Sequence, residues 1–166
     1  MLQKIISGGQ TGADLGGLCA GRDSGIETGG TAAPGWMTAK GPQQAILEGL
    51  GLVEGEPDST IYRMRTIRNV QDSDATLWMG NPYSPGGKLT TGTAKRLGRV
   101  VLVNPTVEEL AEFLTVYRVN TLNVAGNREH TNPGIGIKTR TLVNATLKVL
   151  VDQANEQYKH QQMKQA

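Results

Sequence analysis

The residues best suited to binding chemistry form a glycine-rich loop near the N-terminus, Ser7-Gly8-Gly9-Gln10-Thr11-Gly12. The loop follows a short apolar segment, Lys4 to Ile6, and leads into an amphipathic one, Ala13 to Arg22, which predicts a strand before it and a helix after it. Such a turn presents unpaired backbone N–H groups and the positive end of the helix to the space above the sheet. We therefore expect an anion such as phosphate to bind there, with donors added by Gln10 and Thr11.

This loop matches neither of two commoner phosphate-binding signatures. It lacks the lysine of a Walker A motif, and its glycines are not spaced as G-x-G-x-x-G. A glycine cluster at this place could also form no more than a tight turn. Asp14 has two open interpretations as well: a first-turn carboxylate stabilised by the helix dipole, or a contact to a hydroxyl group or cation of a ligand.

Further glycine and threonine segments follow later strands. Thr28-Gly29-Gly30-Thr31 ends the second predicted strand, residues 85–93 precede the fourth predicted helix, and Gly126-Asn127-Arg128 follows the fifth predicted strand. The carboxyl ends of parallel strands lie at one edge of a sheet, where doubly wound folds bind ligands, so we expect these segments to gather there. Thr91 and Thr93 could instead be helix caps, and the guanidinium at 128 could form a surface ion pair rather than bind phosphate.

The alternation of short apolar runs with amphipathic segments predicts one Rossmann-like α/β domain over residues 1–151. We expect a doubly wound, mainly parallel sheet with helices on both faces. Residues 152–166 are polar and are expected to form a fraying helix end or a disordered tail. Strands are predicted at 4–6, 27–29, 75–79, 100–103 and 121–125, and helices at 13–22, 43–49, 64–71, 91–97, 107–117 and 135–151. Arg65 and Asn69 share a helix face directed to the pocket or to a partner subunit.

Composition narrows the classes of function. Seventeen basic and fifteen acidic side chains give a formal charge of +2, too small an excess for sequence-independent nucleic-acid binding. Cys19 cannot form an intrachain disulfide, and His130 and His160 lack metal-ligand spacing, so no metal site is expected.

The sequence shows neither a secretory segment nor a membrane span, so we expect a cytoplasmic protein. Surplus apolar residues on the last helix predict a homo-oligomer, a dimer or tetramer, with burial inside the monomer as the alternative.

Four sequence blocks together resemble the molybdenum cofactor carrier family. The blocks are Ile5–Asp14, Thr28–Gly30 with Ala33–Trp36, Arg65–Thr76, and Leu122–Arg128, within a match from about residue 2 to residue 151. The resemblance implies a Rossmann-like relative of the cytokinin-activating phosphoribohydrolases and of bacterial DNA-processing proteins. It implies a protein that holds the molybdenum cofactor (molybdopterin), or a similar phosphorylated heterocycle, without turning it over, with molybdoenzymes or cofactor-synthesis proteins as partners. Together with the glycine-threonine segments, the resemblance implies ligand contacts at Gly8, Gly9, Gln10, Thr11, Gly30, Thr31, Thr91, Gly92, Thr93, Asn127 and Arg128.

Two other functions stay open at this point. A nucleoside-monophosphate phosphoribohydrolase would use Pro-Gly-Gly-x-Gly-Thr-x-x-Glu, but here extra residues separate Pro85-Gly86-Gly87 from Gly92-Thr93, and Arg96 stands where the glutamate is needed. A nucleotide-binding or sensing module would use the same pocket and pass a signal to a partner. The loops lack a convincing nucleophile, general base or metal cluster nearby, which favours a binding protein without catalytic residues.

Overall fold

The computed structural model describes residues 1–57 and 61–165, and these residues form a six-stranded parallel sheet with a small antiparallel hairpin beside it. The strands are β1 (Lys4–Ile6), β2 (Glu27–Ala32), β3 (Met37–Thr38), β4 (Gly41–Pro42), β5 (Leu52–Glu54), β6 (Ala75–Met79), β7 (Val100–Val103) and β8 (Thr121–Gly126). The order across the large sheet is β5-β2-β1-β8-β6-β7, and β3 pairs with β4 in the hairpin.

Helices cover both faces of the sheet. They are α1 (Ala13–Asp23), α2 (Gln44–Gly49), α3 (Ile61–Gln71), α4 (Pro85–Arg96), α5 (Val107–Val116) and α6 (Ile135–Gln165), with a 3₁₀ turn at Pro34–Trp36. Helices α1 and α5 both pack against α6, whereas α3 packs against α4 and β2. The predicted Rossmann-like, doubly wound fold is confirmed.

The central strands are apolar because they are buried on both faces, as is usual in parallel sheets. Every residue of β6 is buried, and Ala75, Leu77 and Met79 join the main core together with apolar residues of α5 and α6. Since side chains alternate along a strand, Thr76 and Trp78 face the opposite side of the sheet. This second side carries polar as well as apolar groups, and the candidate site lies at its edge.

The chain leaves β1 and β6 in opposite directions. From β1 it passes through α1 to β2, the neighbour on one side, and from β6 it passes through α4 to β7, the neighbour on the other. Strand β8 lies between β1 and β6. This divergence leaves a crevice beyond the carboxyl ends of the three strands, the position at which doubly wound sheets bind ligands.

The predicted glycine loop over residues 85–93 is wrong, because α4 begins at Pro85 and not at Thr91. Ser84 caps this helix: its Oγ accepts a hydrogen bond from the Gly87 N–H at 3.2 Å. Proline suits the first helical position, where its missing N–H costs nothing. A side chain at Gly87 would meet the backbone of Pro82, so this glycine serves close packing rather than loop flexibility.

Strand β2 and helix α6 are also longer than the sequence patterns predicted. Strand β2 continues through Gly30 and Thr31 to Ala32, because the unpredicted β5 pairs with it there. Helix α6 continues past Val151 to Gln165, where glutamine, glutamate and lysine are good helix formers and extension of an existing helix needs no new nucleus. Within the described residues, no helix is both long enough and apolar enough to cross a bilayer.

Candidate functional site

A cavity of about 510 Å³ lies at the carboxyl ends of β1, β8 and β6. Its walls come from the segments after β1 and β8, from α3 and from the first turns of α4. Three arginines line it: Arg63 and Arg65 from α3, and Arg128 from the segment after β8. The volume falls within the range of about 300–1,000 Å³ that is typical of small-molecule sites. The cavity therefore has the size and the charge to take an anionic small molecule.

The first glycine loop borders this cavity, but groups of the protein itself already accept hydrogen bonds from its backbone. The Gly9 N–H donates to Ser7 Oγ at 3.1 Å, and the Gln10 N–H donates to Asp14 Oδ2 at 3.2 Å. An internal carboxylate thus occupies the place where the sequence pattern predicts an external anion.

Asp14 is 6% exposed and lines the cavity. Burial raises the pKa of its carboxyl above the ordinary value of 3.8, while the nearby charges of Arg65 and Arg128 and the N–H groups of Gln10 and Gly8 act in the opposite direction. Both arginines therefore interact electrostatically with this carboxylate. Asp14 is a first-turn carboxylate of α1 that accepts a hydrogen bond from the loop, and it also lines the cavity, so its contact to a ligand stays a prediction.

Arg65 lies directly against the first glycine of the loop. A Cβ atom built at Gly8 would stand 2.7 Å from Arg65 Nε and 2.8 Å from its Cζ, so only glycine leaves this space to the guanidinium. One turn further along α3, the Asn69 side-chain amide accepts from the Thr31 N–H at 2.8 Å and donates to the Thr31 carbonyl at 3.0 Å. Arg65 and Asn69 both line the cavity, so their shared face is directed to the pocket.

The first turn of α4 forms the opposite wall. Ser84, Pro85 and Gly86 line the cavity, and they bring the positive end of the helix dipole to it. Trp78 is 2% exposed, and its ring lies 3.7 Å from a Cβ built at Gly86. Its buried indole Nε1 has no hydrogen-bond partner among the described residues. A buried N–H group without an acceptor lowers the stability of a protein. An acceptor atom of a ligand in the cavity would give this indole N–H a hydrogen-bond partner.

Asn127 joins this wall to the end of β8. Its Oδ1 accepts from the Asn81 N–H at 2.8 Å, and its Nδ2 donates to Ser84 Oγ at 3.5 Å. A second polar pair lies nearby on the sheet, where Asn123 Nδ2 donates to Thr76 Oγ1 at 3.2 Å. Both asparagines line the cavity, which makes its inner surface polar where it meets the strands.

The structure brings some of the predicted contact residues to the cavity and leaves others outside its lining. Gly8, Gln10, Asn127 and Arg128 line it. The residues that do not line it are Gly9, Thr11, Gly30, Thr31, Thr91, Gly92 and Thr93. Neither Thr91 nor Thr93 caps the helix, since Thr91 Oγ1 donates to the Gly87 carbonyl at 2.8 Å inside it and Thr93 Oγ1 accepts from Arg96 at 3.2 Å.

Several lining residues had no place in the predicted site. In the sequence, Trp78 has the pattern of an apolar strand residue, and Asn123 is an isolated polar residue in a strand, so neither carries a signal for a binding site. Ser84 could have been found, because serine followed by proline is a helix-start signal. His130 lies exposed on the cavity lining. Among residues 1–57 and 61–165, no group of three or more His, Cys, Asp or Glu side chains could hold a metal ion.

The fold and the site together define a Rossmann-like α/β protein with an arginine-lined cavity at the switch point of its sheet. The model of the circularly permutated YpsA SLOG family matches residues 5–147, and the chain belongs to this family. A crystal structure of a putative molybdenum carrier protein from Syntrophus aciditrophicus SB is similar, with 32% sequence identity and a TM-score of 0.77 over 88% of this chain and 95% of that chain. These matches confirm the family indicated by the four sequence blocks. No curated protein is significantly similar to this chain.

Proposed function

We propose that this protein is a carrier that binds the molybdenum cofactor in its phosphorylated molybdopterin form and holds it without chemical change. The observation that carries the proposal is the meeting of Arg65, Arg128 and the N-terminus of α4 around one cavity at the switch point. Guanidinium groups and helix N-termini are the protein groups best suited to a phosphate. The solved relative described as a molybdenum carrier supports the same kind of ligand.

The residues of the cavity fit a ligand with a phosphate at one end and a polar ring system at the other. The phosphate would lie between the two arginines and the first turn of α4. The heterocycle would find a donor in Trp78 Nε1 and an acceptor in Gln10 Oε1, two buried atoms without a partner among the described residues. The cofactor brings its own metal and ring chemistry, and this chain's residues bind it and exclude water.

A nucleotide is the second candidate ligand, because the same phosphate and ring contacts would suit it. The phosphoribohydrolase alternative needs a glutamate on α4, and the residue at that position, Arg96, donates to Thr93 and does not line the cavity. A carboxyl group does reach the cavity from α1, that of Asp14. Release of a free base from a nucleoside monophosphate would therefore overturn the carrier function.

Calorimetric titration tests the proposal directly. The ligands are the molybdenum cofactor, its metal-free pterin and a panel of nucleotides, and the bound ligand is recovered and analysed afterwards. We expect saturable binding of the pterin cofactor, with the ligand recovered unchanged. Arg65→Gln should weaken binding by about ten- to a hundred-fold, the effect of losing a charge-assisted hydrogen bond. The matched control is Lys148→Gln, which removes an exposed cation on α6, away from the cavity lining.

The cellular setting belongs to the same proposal. We place the carrier in the cytoplasm as a homo-oligomer, a dimer or tetramer, that exchanges its ligand with molybdoenzymes or cofactor-synthesis proteins. Size-exclusion chromatography with light scattering would measure the mass of the assembly. A monomer at micromolar concentration would contradict the oligomeric part without affecting the ligand.

A further inference from the structure

We propose that Asp14 restricts the cavity to ligands that carry a single phosphate, because its buried carboxylate lines the cavity, accepts the Gln10 N–H of the first glycine loop and repels a second anionic group. The inference rests on the proposed function, in that it takes the cavity to bind a phosphorylated ligand. It adds a specificity-determining residue and a substrate class: phosphate monoesters rather than diphosphates.

The first observation is that two donors of the loop already have acceptors in the protein. The Gln10 N–H donates to the Asp14 carboxylate at 3.2 Å, and the Gly9 N–H donates to Ser7 Oγ at 3.1 Å. A glycine loop that binds a phosphate needs these N–H groups for the ligand. Here the Gln10 N–H donates instead to Asp14, which lies in the first turn of the helix that the loop leads into.

The second observation is that the donors for an anion lie elsewhere in the cavity. The α4 N-terminus faces it through Ser84, Pro85 and Gly86. Trp78, whose ring lies beside Gly86, adds a buried indole N–H that has no acceptor among the described residues. These groups provide one anion site at the α4 wall, and Asp14 stands on the side formed by the segment after β1.

The third observation concerns charge. Arg65 and Arg128 already interact electrostatically with Asp14, so part of their positive charge is balanced before a ligand arrives. A first phosphate at the α4 wall can still share the two guanidinium groups. A second phosphate extending toward the first loop would meet the carboxylate in a largely buried place, where repulsion between like charges is weakly screened.

Orthophosphate and pyrophosphate are the probes, because they differ in the number of phosphate groups and carry no heterocycle. Their dissociation constants are measured by calorimetry at neutral pH for the full chain. In the unmodified protein we expect pyrophosphate to bind no more than about threefold more tightly than orthophosphate, although it carries more charge. Binding of pyrophosphate more than about tenfold more tightly would overturn the proposal without any variant.

Asp14→Asn removes the charge and keeps an oxygen that can accept from the loop. We expect the preference for pyrophosphate over orthophosphate to rise by about tenfold or more in this variant. Glu129→Gln is the control for a general change in charge: Glu129 caps α6 through the Gly134 and Gly136 N–H groups, lies next to Arg128 in the chain and does not line the cavity. The control should change the preference by less than about twofold.

The outcomes separate this inference from the proposed function. If orthophosphate binds and Asp14→Asn leaves the preference unchanged, Asp14 does not set the phosphate number, although the cavity remains an anion site. If neither anion nor the molybdenum cofactor binds the unmodified protein, both proposals fall. An equal rise in the preference for pyrophosphate over orthophosphate in Glu129→Gln would also overturn the role of Asp14, because it would reflect overall charge alone.

Discussion

Gly8, Arg65 and Asp14 form the smallest unit of the proposed site. Glycine at position 8 leaves room for the guanidinium, the guanidinium interacts with the buried carboxylate, and the carboxylate accepts the Gln10 N–H of the loop. Gly8 therefore leaves space for an arginine that comes from another helix. A change at one member of this unit should act on ligand binding through the others.

Gly8→Ala tests this coupling between the loop and Arg65. The added methyl group would stand too close to the guanidinium, which must move away, whereas no positive φ strains the backbone there. We expect the affinity for the molybdenum cofactor to fall by about tenfold or more, as for a lost charge-assisted hydrogen bond. Calorimetry measures the affinity, and the thermal midpoint should change little, because the displaced group is the end of a flexible side chain. Unchanged affinity would contradict the account.

Gly92→Ala is the matched change at a predicted contact that does not line the cavity. Gly92 lies within α4 and a Cβ atom there meets nothing within 4 Å. Alanine in a helix interior is more stable than glycine by about 0.5–1 kcal/mol, so denaturant titration should show a gain in the free energy of unfolding. Ligand affinity should stay the same. A clear loss of affinity would show that Gly92 contacts the ligand after all.

At the scale of elements, the start of α4 joins stability to binding. Ser84 caps the helix and also lines the cavity, and Asn127 ties this turn to the end of β8. An anion held here would gain from the helix dipole only while the first turn stays in place. The two contributions of Ser84 can be separated by choosing substitutions that affect one of them at a time.

Ser84→Ala removes the cap, and denaturant titration should show a loss of about 1 kcal/mol in the free energy of unfolding. Ser84→Asp keeps a good N-cap but places a carboxylate at the cavity. We expect this variant to retain its stability and to bind the molybdenum cofactor at least about tenfold more weakly, because like charges repel. Tight binding by Ser84→Asp would show that the phosphate does not lie at this wall.

An ion pair joins the C-terminal end of α1 to α6. Arg140 Nε and Nη2 donate to the two carboxylate oxygens of Asp23 at 2.7 Å each, and Asn144 Nδ2 donates at 3.0 Å. The hydrogen bonds from Arg140 and then from Asn144 lower the pKa of Asp23 to about 2 from its ordinary value of 3.8. A lowered folded-state pKa means stability that is present above the unfolded value and lost as the pH falls through the folded value.

Asp23→Asn should therefore lower the thermal midpoint at neutral pH, and the difference from the unmodified protein should shrink between about pH 4 and pH 2. Thermal unfolding followed by circular dichroism across this range measures it. Asp152→Asn, in the exposed part of α6, serves as the control and should show no such trend. A difference that is constant down to about pH 2 would rule out the ion pair as its cause.

At the scale of the whole molecule, α6 has a packed half and an exposed half. Val143 and Leu147 are buried in the main core, and Leu142 and Leu150 pack partly against it. The apolar residues that predicted a homo-oligomer are thus largely buried within the chain, as the alternative interpretation expected, and oligomerisation remains a prediction. From residue 151 to residue 165 every side chain is exposed except the half-buried Ala154.

Truncation after Val151 should leave the domain folded and its ligand affinity unchanged, because the removed residues contribute almost nothing to the core. We expect the thermal midpoint to move by no more than about 2 °C. A larger loss, measured together with a smaller mass in light scattering, would show instead that the exposed half of α6 stabilises an assembly of several chains.

The fold was predictable because its signals are local, whereas much of the site depends on contacts between distant parts of the chain. The short apolar runs at β6 and β8 indicate buried parallel strands from the local sequence alone, whichever strands pair with them. The filling of the first loop by Asp14 depends on how α1 begins, and the space at Gly8 depends on where α3 packs. Strand β5 was missed because its three residues, Leu52–Glu54, show no period of their own and are ordered by pairing with β2.

The most direct test of the central claim is a crystal structure of the protein with the molybdenum cofactor, in which anomalous scattering locates the metal and the density locates the phosphate. We predict a metal peak in the cavity, with the phosphate between Arg65, Arg128 and the first turn of α4, and with the Asp14 carboxylate still accepting the Gln10 N–H. A phosphate seated on the Gly8–Thr11 backbone in place of the Asp14 carboxylate, or a ligand bound outside the cavity, would contradict it.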